Sequence, residues 1–478
     1  MTVTYFWDYS LWTFIIQMGI IAMAIAVGNV LRRKIGFIRR SLLPTAVIAG
    51  FLILAVKNIP ICERFIDNTF METLTYHSLG LGFIAVALKP SVSQKTGKAI
   101  SSPKTITATG MITVSGYLVQ CIVGLACTML LAFTIMPDLF FASGILLPLG
   151  FGQGPGQAYS FGVIYETYGF ESGASFGLAI AAIGFLCACI FGVVYMNILK
   201  KQGKLERLGK VEDTFSSQAQ ATSSPDEIPL AESVDKFTIQ LAIVFGIYFA
   251  TFLLIAIIDY LSVTYLGSFG EGTVRPLIWG LNFMFGTIVA VVVKKVFLKL
   301  RKDGVMSRTY PSEFLLNRFS GAMFDFMIVA GIAAIEISAL KSLFVPLIIV
   351  CTLGLFVTFV YMRFICDRIY PQYNQEMFFV MFGMLTGTLS TGMILLREID
   401  PQFKTPAATN AVLQSLPAIA FGFPIFLLVP YAASSVAAGL ICLAAVTAMF
   451  IAFTVVLLKT KMRIRDEILD PEMMVSEA

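Results

Sequence analysis

Hydrophobic residues run through this chain in long blocks, and the polar residues between the blocks come in short clusters. A helix needs about 20 apolar residues to cross the hydrocarbon core of a bilayer. By that measure the blocks predict spans near 10–31, 41–57, 73–89, 106–135, 172–199, 237–264, 275–296, 316–340, 342–364, 404–431 and 434–459. Two further apolar segments, 139–165 and 375–398, are interrupted by glycine and hydroxyl residues. The first contains Gly150–Gly162, GFGQGPGQAYSFG, with five glycines and Pro155 in thirteen residues. Glycine loses the most backbone entropy in a helix, and proline removes a donor and clashes with the preceding turn. Unpaired backbone groups in lipid cost several kcal/mol each, so broken backbone persists there only under protein or along a polar cavity. Two conformations meet that demand. One is a re-entrant hairpin whose tip touches solute; the other is a kinked helix packed through its small residues.

Basic residues bear on the choice. Arg32, Arg33, Lys34, Arg39 and Arg40 follow the first span and mark that loop as cytoplasmic. The next cytoplasmic loop carries Lys89, Lys95, Lys98 and Lys104, and the third carries Lys200, Lys201, Lys204, Arg207 and Lys210. The tail carries Lys459, Lys461, Arg463 and Arg465. If both interrupted segments enter and leave on one side, only Lys57, Arg64, Arg275 and Lys341 of the 34 Lys and Arg fall outside. Making just one of them a full span would invert everything downstream and strand basic loops outside. The expectation is two hairpins, the first entering from outside and the second from the cytoplasm. The N-terminus is then outside and the C-terminus inside.

Composition agrees: 57% of the 478 residues are hydrophobic and 13% charged, which points to an all-α polytopic membrane protein. The net charge of +5 sits at helix ends and carries no nucleic-acid signal. The first apolar run, 11–31, is long enough to span and has no basic region before it, unlike a cleaved leader. Cys121, Cys127, Cys187 and Cys189 read as small buried hydrophobes, and the lone His77 offers no metal cluster. No nucleotide-binding loop or catalytic triad is present, so the reading is not that of an enzyme, and no cofactor is expected beyond a coupling ion.

The halves of the chain match at a shift of about 233 residues around the interrupted segments. Gly150 falls on Gly383, Gly154 on Gly387, Phe170 on Phe403 and Ala174 on Ala407. Each half holds four spans, an interrupted hairpin and a fifth span, with opposite starting sides. This predicts about 11 transmembrane helices in two inverted five-helix repeats, plus one C-terminal helix. Residues 1–201 form the first repeat, 202–235 a polar cytoplasmic linker and 236–431 the second repeat; 432–478 hold the extra helix and tail. Inverted repeats with broken helices meeting near the midplane are the architecture of secondary transporters.

Candidate chemistry sits at the two interruptions. Gln153, Gln157, Tyr159 and Ser160 supply polar side chains at the first, and Gly154 and Gly156 open backbone N–H groups. Thr386, Thr388, Ser390 and Thr391 surround Gly387 at the second. Half-helix N-termini attract anions, while exposed carbonyls and hydroxyls suit a hard cation such as Na⁺. Neutral tips fit a site that takes both together. The competing role for each hydroxyl is a bond to its own backbone. Asn410 and Gln414, four apart, share a helix face and either reach the second tip or join helices. Asp325 lies inside the 316–340 span, where a carboxylate costs ~3 kcal/mol or more. It is a candidate for binding a cation, carrying a proton or holding a partner such as Arg318. Glu336, eleven residues on, falls on nearly the same helical face and reaches the outer interface near Lys341. His77 is expected to be a hydrogen-bonded core residue. The candidate solute site is Gln153, Gly154, Gly156, Gln157, Ser160, Thr388, Ser390, Thr391 and Asn410. The candidate ion site is Thr386, Gly387, Asp325 and Gln414.

With Gly150–Gly162, the following Tyr168-Gly169-Phe170 and the region Gly383–Gly392, the chain resembles the bacterial sodium/glutamate symporter family over most of its length. The resemblance implies two inverted repeats of five helices, each with a re-entrant hairpin. It implies Na⁺-driven uptake of glutamate or a related small carboxylate across the bacterial inner membrane. It also implies an elevator-like motion of the hairpin-bearing domain against a scaffold that forms a homodimer. Well-known members carry a GGHG-like tip, whereas Gly152-Gln153-Gly154-Pro155-Gly156-Gln157 has no histidine. The alternatives are an H⁺- or Na⁺-coupled transporter of another organic anion, with H⁺ at Asp325, and a channel.

Overall fold

A computed structural model of the chain describes residues 6–89, 102–205, 230–305, 312–401 and 403–468. Most of the 202–235 linker, the basic residues Lys95, Lys98, Arg207 and Lys210, and the end of the tail lie outside the described residues. Every regular element among the described residues is a helix. In chain order the α-helices are α1 (Tyr9–Lys34), α2 (Gly36–Ser41), α3 (Thr45–Lys57), α4 (Asn68–Leu88), α5 (Pro103–Thr134) and α6 (Leu146–Gln153). Then come α7 (Pro155–Glu166), α8 (Gly173–Lys201), α9 (Leu230–Phe269), α10 (Arg275–Gly280), α11 (Asn282–Lys302) and α12 (Glu313–Ala334). The last are α13 (Phe344–Ile369), α14 (Asn374–Thr386), α15 (Leu389–Arg397), α16 (Ala407–Leu413), α17 (Ser415–Ala433) and α18 (Val436–Ile468).

Local chemistry sets many of the ends. Ser102 accepts the Thr105 N–H at 3.2 Å and Pro103 follows at the first helical position, where its missing N–H is no loss. Asp67 caps α4 through the Phe70 N–H at 3.2 Å. Glu166 at the end of α7 reaches forward and accepts the Ala174 N–H at 3.0 Å, capping α8. The α12 end is closed by a distant lysine: Lys57 Nζ donates to the Ala333 and Ile335 carbonyls at 3.1 and 3.2 Å. A cation there also meets the negative end of the helix dipole.

Seven described helices are long and apolar enough to cross a membrane, or eight if the bent α16–α17 pair is one span. That is the make-up of a helical membrane protein. Large apolar side chains on α1 and α9, such as Phe14, Met23, Phe249 and Ile257, are exposed, as lipid-facing residues are. The expected spans need four revisions. The 41–57 span starts only at Thr45, because Leu42 turns left-handed (φ 59°) ahead of Pro44. Its 13 residues reach about 20 Å at 1.5 Å per residue, short of a hydrocarbon core. The 275–296 span is split at Leu281 into α10 and α11. The 404–431 span is broken near Gln414, where its two parts bend by 48°. The expected 316–340 span ends at Ala334, so Glu336 follows α12 and shares no helical face with Asp325.

The helices gather into two compact units, each drawing on both halves of the sequence. The first holds most of α1, with α3, α4 and α9–α12. Its core joins Ile84, Ala85 and Leu88 of α4 to Val244 and Ile247 of α9, Ala290 of α11 and Leu316 of α12. His77 Nδ1 pairs with the Tyr248 hydroxyl at 2.7 Å, but the residue is exposed and not part of that core. The second unit holds α2, α5–α8 and α13–α18. Its core packs Met362 and Ile365 of α13 around Phe378, Phe379 and Phe382 of α14, Leu395 of α15 and Ala411 of α16. Cys121 and Cys189 are buried, whereas Cys127 and Cys187 are only partly so.

Candidate functional site

The interruptions become two helical hairpins within the second unit. In the first, only Gly154 separates α6 from α7, at φ 84° and ψ −177°. An L side chain rarely adopts that positive φ, so glycine is what permits the sharp break. The chain folds back there. Phe140, ahead of α6, stacks on Phe170 at 5.0 Å and lies 5.5 Å from Tyr165 at the end of α7. The entrance and exit of the segment are therefore neighbours, and the kinked-helix alternative does not describe it. In the second hairpin Gly387 and Thr388 join α14 to α15. A Cβ on Gly383 would come within 2.7 Å of the Gly392 Cα, and one on Gly392 within 2.2 Å of the Val380 carbonyl. Arms that approach so closely leave no room for side chains between them.

Both tips meet the same two helices. On one side stands Gly184, near the middle of α8. A Cβ there would lie 2.5 Å from the Thr386 carbonyl of one tip and 3.0 Å from the Phe151 ring of the other. On the other side stands the middle of α5. The Tyr117 hydroxyl donates to the Gly152 carbonyl at 3.2 Å, and Gln120 Nε2 donates to the Leu385 carbonyl at 2.8 Å. Broken α16–α17 closes the group. Gln414 at its bend donates through Nε2 to Met384 Sδ at 3.5 Å, and Tyr165 donates to the Val429 carbonyl at 2.9 Å.

The expected residues distribute unevenly around this meeting point. Gln153 ends α6 and is half-buried, Gly154 is the break, and Gly156 and Gln157 form the first turn of α7. That turn, like the Leu389–Thr391 turn of α15, presents N–H groups with no acceptor in its own helix. Ser160 donates to the Gly156 carbonyl at 3.0 Å and Thr386 to the Phe382 carbonyl at 2.7 Å, so both hydroxyl protons go to their own helices. Thr388 and Thr391 hydroxyls stand 3.3 Å apart; Thr391 is buried and Ser390 exposed. Asn410 is buried and donates to the Tyr373 hydroxyl at 3.1 Å, at the base of the hairpin and away from its tip. Asp325 is exposed on α12 and belongs to the first unit, whereas the two tips belong to the second. Its suggested partner Arg318 lies over the Phe314 ring, 5.4 Å from the centroid.

Among the described residues of this unit, four buried amide oxygens have no protein partner: Gln120 Oε1, Gln157 Oε1, Asn410 Oδ1 and Gln414 Oε1. An unmet buried acceptor costs about 1–3 kcal/mol, so each calls for a donor or a cation. For Gln120 the assignment of oxygen and nitrogen is secured by its neighbours. Both groups near Nε2 are acceptors, because Thr358, 2.8 Å away, gives its own proton to the Gly354 carbonyl at 2.6 Å. Neutral amide oxygens suit a cation, and free helix N–H groups suit an anion.

Sequence reasoning missed Tyr117, Gln120 and Gly184. Gln120 carried a signal, being a lone amide in the middle of an apolar span. It also missed Asp400, which is fully buried between the second hairpin and α16. Its two oxygens accept the Lys404 N–H, the Thr405 N–H and the Thr405 hydroxyl at 2.9, 2.9 and 2.8 Å. No family model, no curated protein and no solved structure matches the chain.

Proposed function

We propose that the chain is a secondary active transporter that carries glutamate or a related small carboxylate together with Na⁺. One observation carries this reading: two helix breaks, one from each half of the sequence, meet between the middles of α5 and α8. Free N–H groups at the starts of α7 and α15 suit the carboxylate, and the unpartnered amide oxygens suit the cation. Gly154 and Gly387, which the shift of about 233 residues superposes, both lie at the breaks, as inverted repeats require. In this reading the eleven expected spans surround the hairpins, the hairpin-bearing unit moves the solute, and the protein works as a homodimer in the bacterial inner membrane. The distribution of basic residues supports an outside N-terminus and an inside C-terminus.

The deciding experiment is uptake into proteoliposomes with a panel of labelled carboxylates, with and without an inward Na⁺ gradient. Accumulation above electrochemical equilibrium, driven by Na⁺, is the expected result. Passive equilibration under every gradient would make the protein a channel. Accumulation driven only by H⁺ would replace the coupling ion. Orientation is tested separately by an impermeant thiol reagent on Ser223→Cys, a position outside the described residues; labelling from the outside would reverse the topology.

A further inference from the structure

We propose that Tyr117 and Gln120 of α5 act together as one latch on both hairpin tips, so that the state of one tip is felt at the other. The inference rests on the transport reading above, and assigns these two residues the positioning that makes ion and solute binding interdependent.

The geometry is matched at the two tips. Gly152 is the last residue but one of α6, and Leu385 the last but one of α14. Carbonyls in the last turn of a helix have no donor in their own helix. In both hairpins α5 supplies the donor: Tyr117 to the Gly152 carbonyl at 3.2 Å, Gln120 to the Leu385 carbonyl at 2.8 Å. The two donors are three residues apart, so they project from one face of a single rigid turn. Neither can follow its tip without turning the segment that holds the other.

Each donor is itself restrained. Gln120 gives its second proton to Thr358 on α13, at 2.8 Å, and is fully buried. The Tyr117 ring lies flush on Gly152, where a Cβ would come within 2.2 Å of a ring carbon. A shift of the first tip must therefore carry the Tyr117 ring with it. Behind the tips, Gly184 touches both, which removes the room for either to slide independently. Coupling of this kind needs a shared element with more than one position that both sites bias.

The test uses the full chain in nanodiscs. Tyr117→Phe removes one donor and keeps the ring; Gln120→Met removes the other and keeps the volume. Thr358→Val, which loosens Gln120 without touching a tip, serves as a milder variant should Gln120→Met fail to assemble. Hydrogen exchange is measured over 150–160 and 383–392 without solute, and L-glutamate affinity is measured by calorimetry at low and saturating Na⁺. Each variant is expected to raise exchange at both tips, with the double variant giving less than the sum of the singles. The factor by which Na⁺ raises glutamate affinity, ~5–150-fold for ordinary coupled sites, is expected to fall towards one. If each variant loosens only its own tip, or lowers the melting temperature while leaving that factor intact, the two residues are separate helix caps and the latch is wrong. If wild type shows no Na⁺-dependent glutamate affinity, the transport reading fails, and the exchange pattern alone still decides the latch.

Discussion

Replacing Gly184 with alanine tests the convergence of the two tips with a single methyl group. In a helix interior, exchanging glycine for alanine ordinarily stabilises by about 0.5–1 kcal/mol, because the unfolded chain loses freedom. Here the new Cβ would stand 2.5 Å from the Thr386 carbonyl and 3.0 Å from Phe151 Cδ1, with the Phe151 Cα at 3.4 Å. Real Cβ contacts essentially never fall under 3.0 Å, so the second tip must retreat by about half an ångström and the first must yield as well. Overpacking of this kind costs ~1–3 kcal/mol. The balance is a net loss of about 1–2 kcal/mol, opposite in sign to the intrinsic effect. The strain falls on the two backbone breaks, so uptake is expected to drop far more than stability. Gly246→Ala and Gly321→Ala are the controls, since a Cβ at either meets nothing within 4 Å. Both are expected to melt at or above the wild-type temperature with wild-type uptake. Thermal melting in detergent and Na⁺-driven uptake into proteoliposomes measure the two effects. A Gly184→Ala protein as stable and as active as the controls would mean that the tips do not meet at α8.

Three further substitutions examine other parts of the argument. Gly154→Leu forces a side chain into a backbone at φ 84° and is expected to abolish uptake while assembled protein still elutes as one species; wild-type uptake would deny the break its role. Lys57→Met removes the donor to the Ala333 and Ile335 carbonyls, and its unpartnered helix end is expected to lower stability by ~1–2 kcal/mol, read as a lower melting temperature. Asp400→Asn keeps the shape but replaces one acceptor oxygen with an NH₂ group facing donors, which is expected to speed hydrogen exchange across 400–413 by roughly 5- to 150-fold, equivalent to ~1–3 kcal/mol. Unchanged exchange there would show that the carboxylate does not hold the link.

What the sequence by itself determined is local. Long apolar blocks become helices because a helix satisfies its backbone hydrogen bonds within one segment, as lipid demands, and most of each expected span falls on helix. The two interruptions were legible for the same reason: glycine, proline and hydroxyl residues act on the backbone they belong to, and Gly154 and Gly387 stand at the breaks. The shortening of α3 ahead of Thr45 and the bend at Gln414 had local signals in Pro44 and Pro417 that the span reading passed over, because it weighed hydrophobicity alone. Tertiary structure decided which polar groups share a neighbourhood. Tyr117 looks like an ordinary member of an apolar span, and Gln120 stands out only as a lone amide, until Gly152 and Leu385, 35 and 265 residues away along the chain, bring unmet carbonyls to them. Asp325, whose depth in a span made it conspicuous, belongs to the other unit, whereas Asp400, which sequence reasoning passed over, is buried. Periodicity and backbone chemistry act over a few residues. The pairing of a buried carbonyl with its donor depends on which distant helix arrives beside it, and that is set by the packing of the whole unit.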